Sequence, residues 1–298
     1  MTRVGWVGLG AMGEPMARVV ARAGISVNGF DVDESKRSIV EPNFAFAETV
    51  GAAATDATVL VLMVASHDQV ESVLFGADPA LDVMSPGSVV VIMSTVGPTA
   101  VRELAEQLEP RGISVVDAPV SGGVSRAEAG DLLVMVAGES VAISKTQTIL
   151  DSISRLAPVV GSSPGDGQKF KLVNNLLGGI HIAAAAEALA FGEALGLDMR
   201  TVWDVLQGGA AASFMFSDRG SRMVTASYDE VNSALDIFVK DMGLVKNLAA
   251  EVNCYTPLAI KTRDLFLAGR SAGLGRLDDS SLIEVFRAAT PGAATHHR

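Results

Sequence analysis

Short hydrophobic runs alternate with longer, helix-like stretches along the first half of the chain. The runs are rich in β-branched residues and predict buried strands at residues 4–7, 26–30, 59–65, 88–93, 114–118 and 132–137. Stretches with helical spacing lie between most of them, at residues 11–23, 68–74, 99–109 and 140–153. This alternation predicts βαβ units and a doubly wound parallel sheet of the Rossmann type, with 132–137 as an added edge strand.

The pattern changes at a cluster of glycine, serine and proline at residues 161–167. From residue 168 to residue 195 the chain predicts one alanine-rich helix that is apolar on nearly every side. Further helices are predicted at 199–207, 213–222, 233–254, 257–268 and 281–289, followed by a frayed tail at 290–298. The predicted fold class is therefore α/β, with a Rossmann domain at 1–163 and an all-helical domain at 164–298.

Composition narrows the class of protein. A chain of 298 residues has room for two domains, and 49% hydrophobic against 19% charged residues excludes a mainly disordered chain. Lys plus Arg number 23 and Asp plus Glu number 34, and the resulting net charge of −11 argues against a nucleic-acid partner. A local pocket can still be positive, so an anionic substrate is not excluded.

The single cysteine, Cys254, excludes an intramolecular disulfide and a cysteine zinc cluster, and no metal is predicted. It indicates a reducing compartment, and we expect the cytoplasm. Because the first strand begins directly after Met1, Thr2 and Arg3, we expect no signal peptide. The unbroken apolar runs are too short to cross a bilayer, so we expect no membrane partner.

A G-x-G-x-x-G pattern at residues 8–13 joins the first predicted strand to the first predicted helix. The first glycine permits a tight turn, the second lets backbone N–H groups approach a pyrophosphate, and the third lets the helix pack on the strand. An ordinary glycine turn is the alternative interpretation. The cofactor contacts predicted here are Gly8, Gly10, Ala11, Met12 and Gly13.

Asp31 ends the second predicted strand, 23 residues after Gly8. A carboxylate at this place accepts hydrogen bonds from ribose hydroxyls and repels a 2′-phosphate. Because Lys36 and Arg37 do not follow it at once, NAD is predicted in preference to NADP. The alternative is a turn residue that binds nothing.

Two further strand ends are predicted to face the cofactor, because ligands bind at the carboxyl ends of parallel strands. These ends carry Val64 and Ala65 as the last residues of one strand and Thr95 after the next strand. His67 lies nearby, and we interpret it as a loop residue.

Ser121, Gly122 and Gly123 combine a hydroxyl with two glycine amides, a set of donors suited to a carboxylate. A simple glycine turn is equally consistent with these residues. They are the first candidates for substrate binding.

Lys171 lies at the start of the long apolar helix, with Asn174 and Asn175 on the same face at i+3 and i+4. Lys169 points to another side of that helix. Partial burial favours a neutral amine, which can accept an alcohol proton. A surface lysine is the alternative.

Lys240 and Asp241 form a third candidate, on a later helix, where Lys240 could reach the cofactor or a substrate carboxylate. A solvated Lys–Asp face is the alternative. His181 on the long helix is predicted to pack in the core or at an interface.

These motifs together resemble the four motifs of the β-hydroxyacid dehydrogenase family, in the same order and over essentially the whole chain. The motifs lie at residues 8–13, 117–123, 165–175 and 240–241. The resemblance implies hydride transfer between a small hydroxy acid and NAD. It implies that Lys171 is the catalytic acid/base, that Asn175 positions the substrate and that Thr95 and Lys240 touch the cofactor. It also implies substrate binding by Ser121, Gly122 and Gly123, with Asn174 as a further substrate contact.

Lys171 argues against the imine-reductase relatives, in which this lysine is replaced. Lys171 and Asn175 together argue against a dinucleotide-binding sensor that has lost its chemistry. The sensor stays open as an alternative of another class. The long helix, apolar on most sides, predicts a homo-oligomer, either a dimer or a tetramer.

Overall fold

The computed structural model describes residues 2–290, and the chain divides into two compact units between Lys171 and Leu172. The strands are β1 (Arg3–Val7), β2 (Ser26–Phe30), β3 (Phe44–Phe46), β4 (Val59–Leu62), β5 (Val89–Ile92), β6 (Ser114–Asp117), β7 (Val120–Ser121), β8 (Leu132–Val134), β9 (Val136–Ala137), β10 (Ser154–Leu156) and β11 (Val159–Gly161). The domain boundary predicted at 163/164 stays a prediction.

The α-helices are α1 (Gly13–Arg22), α2 (Val50–Ala54), α3 (His67–Phe75), α4 (Pro98–Leu108), α5 (Val124–Ala129), α6 (Ser140–Ile153), α7 (Asp166–Ala194), α8 (Met199–Leu206), α9 (Phe214–Thr225), α10 (Leu235–Glu251), α11 (Pro257–Ser271) and α12 (Ile283–Ala289). Short 3₁₀ turns cover Glu34–Ser38, Ala80–Asp82, Glu109–Arg111 and Asp279–Leu282. The predicted tail at 290–298 lies outside the described residues except for Thr290.

The main sheet of the first unit has the order β11-β9-β6-β5-β4-β1-β2-β3. From β3 to β6 all neighbours are parallel, and this 3-2-1-4-5-6 order is that of dinucleotide-binding domains. Such sheets bind ligands where the strand order reverses, at the carboxyl ends of β1 and β4. The order therefore predicts a ligand site at the turns that follow these two strands.

Alternate residues of the central strands pack into two separate cores, as expected when helices cover both faces of a parallel sheet. In β4, Val59 and Val61 belong to one core, and Leu60 and Leu62 belong to the other. All four side chains are fully buried. The predicted Rossmann-type α/β fold is confirmed.

The single edge strand predicted at residues 132–137 is wrong. The segment splits at Met135, because β8 joins a small sheet of order β10-β8-β7 while β9 pairs antiparallel with β6. Strand β11 then covers β9, so β9 is not an edge. Elements of two to six residues are too short to show a period, and those that were not predicted are β3, β7, β10, β11, α2 and α5.

In the second unit, residues 172–290, the described secondary structure is helical apart from an isolated bridge between Ala234 and Asp278. An ion pair with little solvent access ties α9 to the turn Asp279–Leu282, because Arg219 Nε lies 3.0 Å from the fully buried Asp279 Oδ1. Partnering of this kind satisfies charges that would be costly to bury alone.

Among the helices of residues 2–290, only α7 is long and apolar enough to cross a membrane by length and composition, which the unbroken apolar runs had not indicated. Half of its most apolar window is buried inside the protein. Core helices of soluble proteins pass the same test, so the helix is weak evidence for a membrane span.

Candidate active site

The glycine-rich turn between β1 and α1 is shaped partly by the chain's own packing. Gly8 has a φ of 97°, and a Cβ there would lie 2.4 Å from the Met63 carbonyl oxygen. A Cβ on Gly13 would lie 2.0 Å from the Gly8 carbonyl oxygen. That carbonyl accepts a 3.2 Å hydrogen bond from the indole N–H of the buried Trp6. The core therefore fixes the turn.

Gly10 has a different reason to be glycine. It is exposed, and a Cβ there would meet no heavy atom of the described residues within 4 Å. The first hydrogen bond of helical pattern runs from Glu14 N–H to the Gly10 carbonyl, so the N–H groups of Ala11, Met12 and Gly13 precede it. Anions bind at such helix starts, and the open side of Gly10 lets a pyrophosphate approach the backbone. The residues present fit a dinucleotide.

Asp31 is held against this turn. Its Oδ2 accepts a 2.6 Å hydrogen bond from Leu9 N–H, and its Oδ1 accepts a 2.9 Å bond from Asp33 N–H. The carboxylate therefore lies at the switch point of the sheet, where a ribose would bind. Lys36, the nearest following cation, pairs with Glu14 at 2.8 Å.

A groove of about 390 Å³ connects the start of α1 with α5. Its lining residues are Gly10, Ala11, Glu14, Pro15, Arg18, Arg22, Val124 and Glu128. The groove thus runs from the glycine turn to the helix that follows Gly123, within the first unit. A ligand bound at the turn would find further space toward the candidate substrate residues.

The three candidate substrate residues before α5 differ in their surroundings. Ser121 ends β7, pairs with Leu133 of β8 and is half-buried. Gly122 has a φ of 148°, and a Cβ there would lie 2.9 Å from Arg126 Cδ. Gly123 has a φ of 77°, and a Cβ there would meet no heavy atom of residues 2–290 within 4 Å. The backbone at Gly123 is therefore open to a ligand, like the backbone at Gly10.

The start of α7 is anchored by a buried pair, Asp117 and Gln168, which was not predicted from the sequence. Asp117 Oδ2 accepts hydrogen bonds of 2.9 Å from the N–H groups of Gly165 and Gln168. Asp117 Oδ1 accepts a 2.8 Å bond from Gln168 Nε2. Burial raises the pKa of Asp117 to about 6, against the effect of these hydrogen bonds.

Gln168 continues the network to the turn that follows β5. Its Oε1 accepts hydrogen bonds of 3.0 Å from the N–H groups of Val96 and Gly97. Its Nε2 also donates to the Ser94 carbonyl at 3.1 Å. Gln168 therefore holds the residues on both sides of Thr95, namely Ser94 and Val96. A polar residue at the start of an apolar helix was the available sequence signal.

Lys171 follows Gln168 by three residues on α7 and is half-buried. Lys169, by contrast, is 57% exposed and pairs with Asp166 at 2.8 Å. The two lysines therefore differ in burial, as expected from their positions on different sides of the helix.

The candidates after β4 are held by local hydrogen bonds. Val64 N–H donates to Ser94 Oγ at 2.9 Å, and Ala65 N–H donates to Gln69 Oε1 at 2.8 Å. His67 is the first residue of α3 and its Nε2 lies 3.5 Å from Glu71, rather than in a loop. The first of these bonds links the turns after β4 and β5, where the sheet order places the cofactor.

In the second unit, Asn174, Asn175, Asp241 and Lys240 form one hydrogen-bonded and charged chain. Asn174 Nδ2 donates to Asn175 Oδ1 at 3.1 Å, and Asn175 Nδ2 donates to Asp241 Oδ2 at 2.8 Å. Lys240 Nζ lies 3.0 Å from Asp241 Oδ1. Asp241 is only 5% exposed, so the alternative of a solvated Lys–Asp face is wrong for the carboxylate.

Comparison with known proteins identifies the family of the chain. Residues 3–161 match the family model described as the NAD binding domain of 6-phosphogluconate dehydrogenase. Residues 165–286 match the one described as NAD-binding of NADP-dependent 3-hydroxyisobutyrate dehydrogenase.

Individual relatives cover nearly the whole chain. L-threonate dehydrogenase from Escherichia coli O6:H1 is 36% identical over 293 residues, 97% of each chain. 2-(Hydroxymethyl)glutarate dehydrogenase from Eubacterium barkeri is 33% identical and covers 97% of this chain and 96% of its own. A crystal structure of 3-hydroxyisobutyrate dehydrogenase from Salmonella typhimurium has a TM-score of 0.88 at 35% identity, covering 96% of this chain and all of that one.

The fold and the site define an oxidoreductase that binds NAD and acts on hydroxy acids. The chain belongs to the β-hydroxyacid dehydrogenase family, which includes the 3-hydroxyisobutyrate dehydrogenases.

Proposed function

We propose that the protein oxidises L-threonate at C2 with NAD⁺, giving the 2-oxo acid. The proposal is supported by the 36% identity to L-threonate dehydrogenase over 97% of the chain. Several stretches resemble that enzyme in particular: residues 64–67, 181–185, 214–216, 239–241 and 273–279. Many 3-hydroxyisobutyrate dehydrogenases have Leu-Pro where this chain has Val64-Ala65, which weakens the case for a small branched substrate.

In the proposed reaction, Lys171 acts as the general base. Its neutral amine takes the proton of the C2 hydroxyl while the C2–H bond breaks and the C2=O bond forms. NAD⁺, when bound, accepts the hydride and with it both electrons. In the reverse direction the Lys171 ammonium returns the proton to the forming alcohol. Protons and electrons therefore balance without another reactant.

The other proposed roles concern orientation. Ser121 and the N–H groups of Gly122 and Gly123 hold the substrate carboxylate. Asn174 contacts the substrate and Asn175 positions its hydroxyl, while Thr95 and Lys240 contact the cofactor. Fixing reactants in this way supplies a large part of the barrier reduction in dehydrogenases.

One observation carries the proposed role of Lys171. The helix turn that bears this lysine is bonded through Gln168 to the turn around Thr95, at the carboxyl ends of the central strands. Those strand ends are where open α/β sheets bind their ligands. Lys171 belongs to the same compact unit as the glycine turn and Asp31, which supports the proposed role.

A panel of hydroxy acids tests the substrate. Each acid is incubated with NAD⁺ and separately with NADP⁺, and formation of the reduced nucleotide is followed by absorbance. L-threonate should give the highest kcat/KM, with NAD⁺ preferred.

The other acids in the panel represent the alternatives. A higher kcat/KM for 3-hydroxyisobutyrate, the substrate named for the Salmonella structure, would identify that acid as the substrate in place of L-threonate. Faster reduction of tartronate semialdehyde by NADH than oxidation of any acid in the panel would indicate a reductase. No turnover of any acid would favour a dinucleotide-binding sensor.

We also propose a homo-oligomer, a dimer or a tetramer, in the cytoplasm, without a nucleic-acid or membrane partner. Support for the oligomer comes from an exposed apolar stripe along one side of α7. Its members are at least half exposed: Phe170, Val173, Leu177 and Phe191. A second copy of the chain would cover such a stripe.

A further inference from the structure

Three segments of the first unit converge on Asp117 and Gln168. They are the start of α7, the end of β6 and the turn that follows β5. Both side chains are fully buried. Six hydrogen bonds involving these two side chains join the three segments, and every partner outside the pair is a backbone group.

The network admits only one arrangement of donors and acceptors. Gln168 Oε1 faces two backbone N–H groups, so the amide cannot flip, and Nε2 must point to Asp117. Both oxygens of Asp117 therefore face donors. A carboxylate accepts at both oxygens, whereas an asparagine would turn an NH₂ group toward a donor.

The backbone around the pair leaves little room for movement. A Cβ on Gly167 would lie 2.6 Å from the Met135 carbonyl oxygen, and one on Gly165 would lie 2.8 Å from the Pro98 carbonyl oxygen. The first turn of α7 thus rests directly on the backbone of neighbouring segments. Its position, and that of Lys171 on the next turn, is set by these contacts.

We propose that Asp117 and Gln168 are positioning residues, which fix Lys171 relative to the turn that carries Thr95. The proposal rests on the proposed roles of Lys171 in proton transfer and of Thr95 at the cofactor. Gln168 is bonded to the residues on both sides of Thr95 and stands one helical turn before Lys171. One side chain therefore couples the place of proton transfer to the place of hydride transfer.

A side-chain swap tests this pair. Gln168→Glu sets two carboxylates against each other, and Asp117→Asn turns an amide N–H toward a donor. In the double variant, which combines Asp117→Asn with Gln168→Glu, the oxygen of the introduced amide would accept the two backbone bonds. The nitrogen of that amide would donate to the introduced carboxylate. The swap thus keeps the charge and restores all but the bond to the Ser94 carbonyl.

Kinetics with L-threonate, or with the best acid of the panel, supply the readout. Each single variant should lower kcat by about 100-fold, because a displacement of about 1 Å at a catalytic group has that effect. Because hydride transfer then limits the rate, the isotope effect on kcat with substrate deuterated at the oxidised carbon should rise. The kcat of the swap should be at least tenfold, roughly, above the kcat of either single variant.

Two controls separate positioning from general destabilisation. Thr146→Val removes a buried hydrogen bond of the same unit, from Thr146 Oγ1 to the Ile143 carbonyl, and should lower stability without changing the isotope effect. Affinity for NADH, measured by fluorescence, should stay within about threefold in all variants. Should a single variant fail to fold, Gln168→Ala keeps the two backbone bonds of Asp117 and should give the same kinetic change.

Wild-type kcat and isotope effect in the single variants would overturn the proposal. So would a swap that restores stability but not kcat. Lys171→Ala is measured alongside: full turnover there would contradict the proposed function itself, and with it this inference. Loss of turnover in Lys171→Ala together with unchanged Gln168 variants would contradict only the inference.

Discussion

The side-chain amide of Asn175 donates a 2.8 Å hydrogen bond to Asp241 Oδ2, and Lys240 Nζ lies 3.0 Å from the other oxygen of the same carboxylate. Asn175 is 3% exposed and Asp241 is 5% exposed. One buried carboxylate thus orients a residue proposed for the substrate and a residue proposed for the cofactor. Its removal should affect both.

Asp241→Asn should lower kcat/KM by about 10- to 100-fold, because hydrogen bonds to charged groups contribute about 1.5–3 kcal/mol. The asparagine oxygen can still accept from Asn175, but the charge that attracts Lys240 is lost. Steady-state kinetics with both substrates varied checks this result. Asp264→Asn, an exposed change in the same unit, should leave kcat/KM unchanged. Equal values for the two variants would contradict the role given to Asp241.

Asp31→Ser should raise the KM for NAD⁺ by about tenfold and increase the use of NADP⁺ relative to NAD⁺. The change removes the acceptor for Leu9 N–H and the charge that repels a 2′-phosphate. Asp33→Ser is the matched control, since Asp33 caps the next turn and serine also caps helices. If both variants keep the wild-type ratio of NADP⁺ to NAD⁺ use, Asp31 does not select the cofactor.

Asp117 should leave a signature in the pH dependence of stability. Burial raises the pKa of its carboxyl from 3.8 to about 6. A raised pKa means that the folded state holds the proton more tightly than the unfolded state does. The stability from this group is therefore fully present below about pH 3.8 and is lost as the pH rises through about 6.

Urea unfolding of the wild type and of Asp117→Asn at several pH values measures this effect. Between pH 4 and 6, the free energy of unfolding of the wild type should fall, relative to the variant, by about 1.4 kcal/mol per pH unit. Other carboxyl groups titrate in both proteins and cancel in the difference. Parallel curves for the two proteins would show that Asp117 does not titrate in this range.

Phe191→Glu should lower the mass in solution, measured by sedimentation, because it places a charge in the proposed subunit contact. Phe191 is 65% exposed in the single chain. Lys246→Glu, an exposed change on α10, is the control and should keep the wild-type mass. An unchanged mass for Phe191→Glu, or a wild type that is already monomeric, would speak against this contact.

The sequence predicts long elements well and very short ones poorly. Helix α6 spans Ser140–Ile153, as predicted, because fourteen residues of helical spacing follow Gly138. Strands such as β7, with two residues, carry no period that could reveal them. The segment 132–137 has one continuous apolar pattern, yet its two halves pair with different sheets, and that choice depends on distant strands.

The candidate site shows the same limit. The predicted glycine turn with Asp31 after β2 needs only local geometry, and their spacing is visible in the sequence. Gln168 is different, because its acceptor oxygen bonds backbone N–H groups 71 and 72 residues away, and backbone groups carry no sequence signal. Asp117 was identified only as the first residue of the motif at 117–123, with no role of its own. The contacts that position a site are therefore harder to predict than the residues that do its chemistry.

The role of Lys171 is tested most directly by the turnover of Lys171→Ala beside that of Lys169→Ala. The two lysines are two residues apart, yet Lys169 is an exposed partner of Asp166. Lys171→Ala should lower kcat by about 10²- to 10⁴-fold, the contribution of a general acid/base, with NADH affinity unchanged. Lys169→Ala should stay near the wild type. Near-wild-type turnover in Lys171→Ala, with the hydroxy acid still oxidised, would contradict the role of Lys171 as the general acid/base.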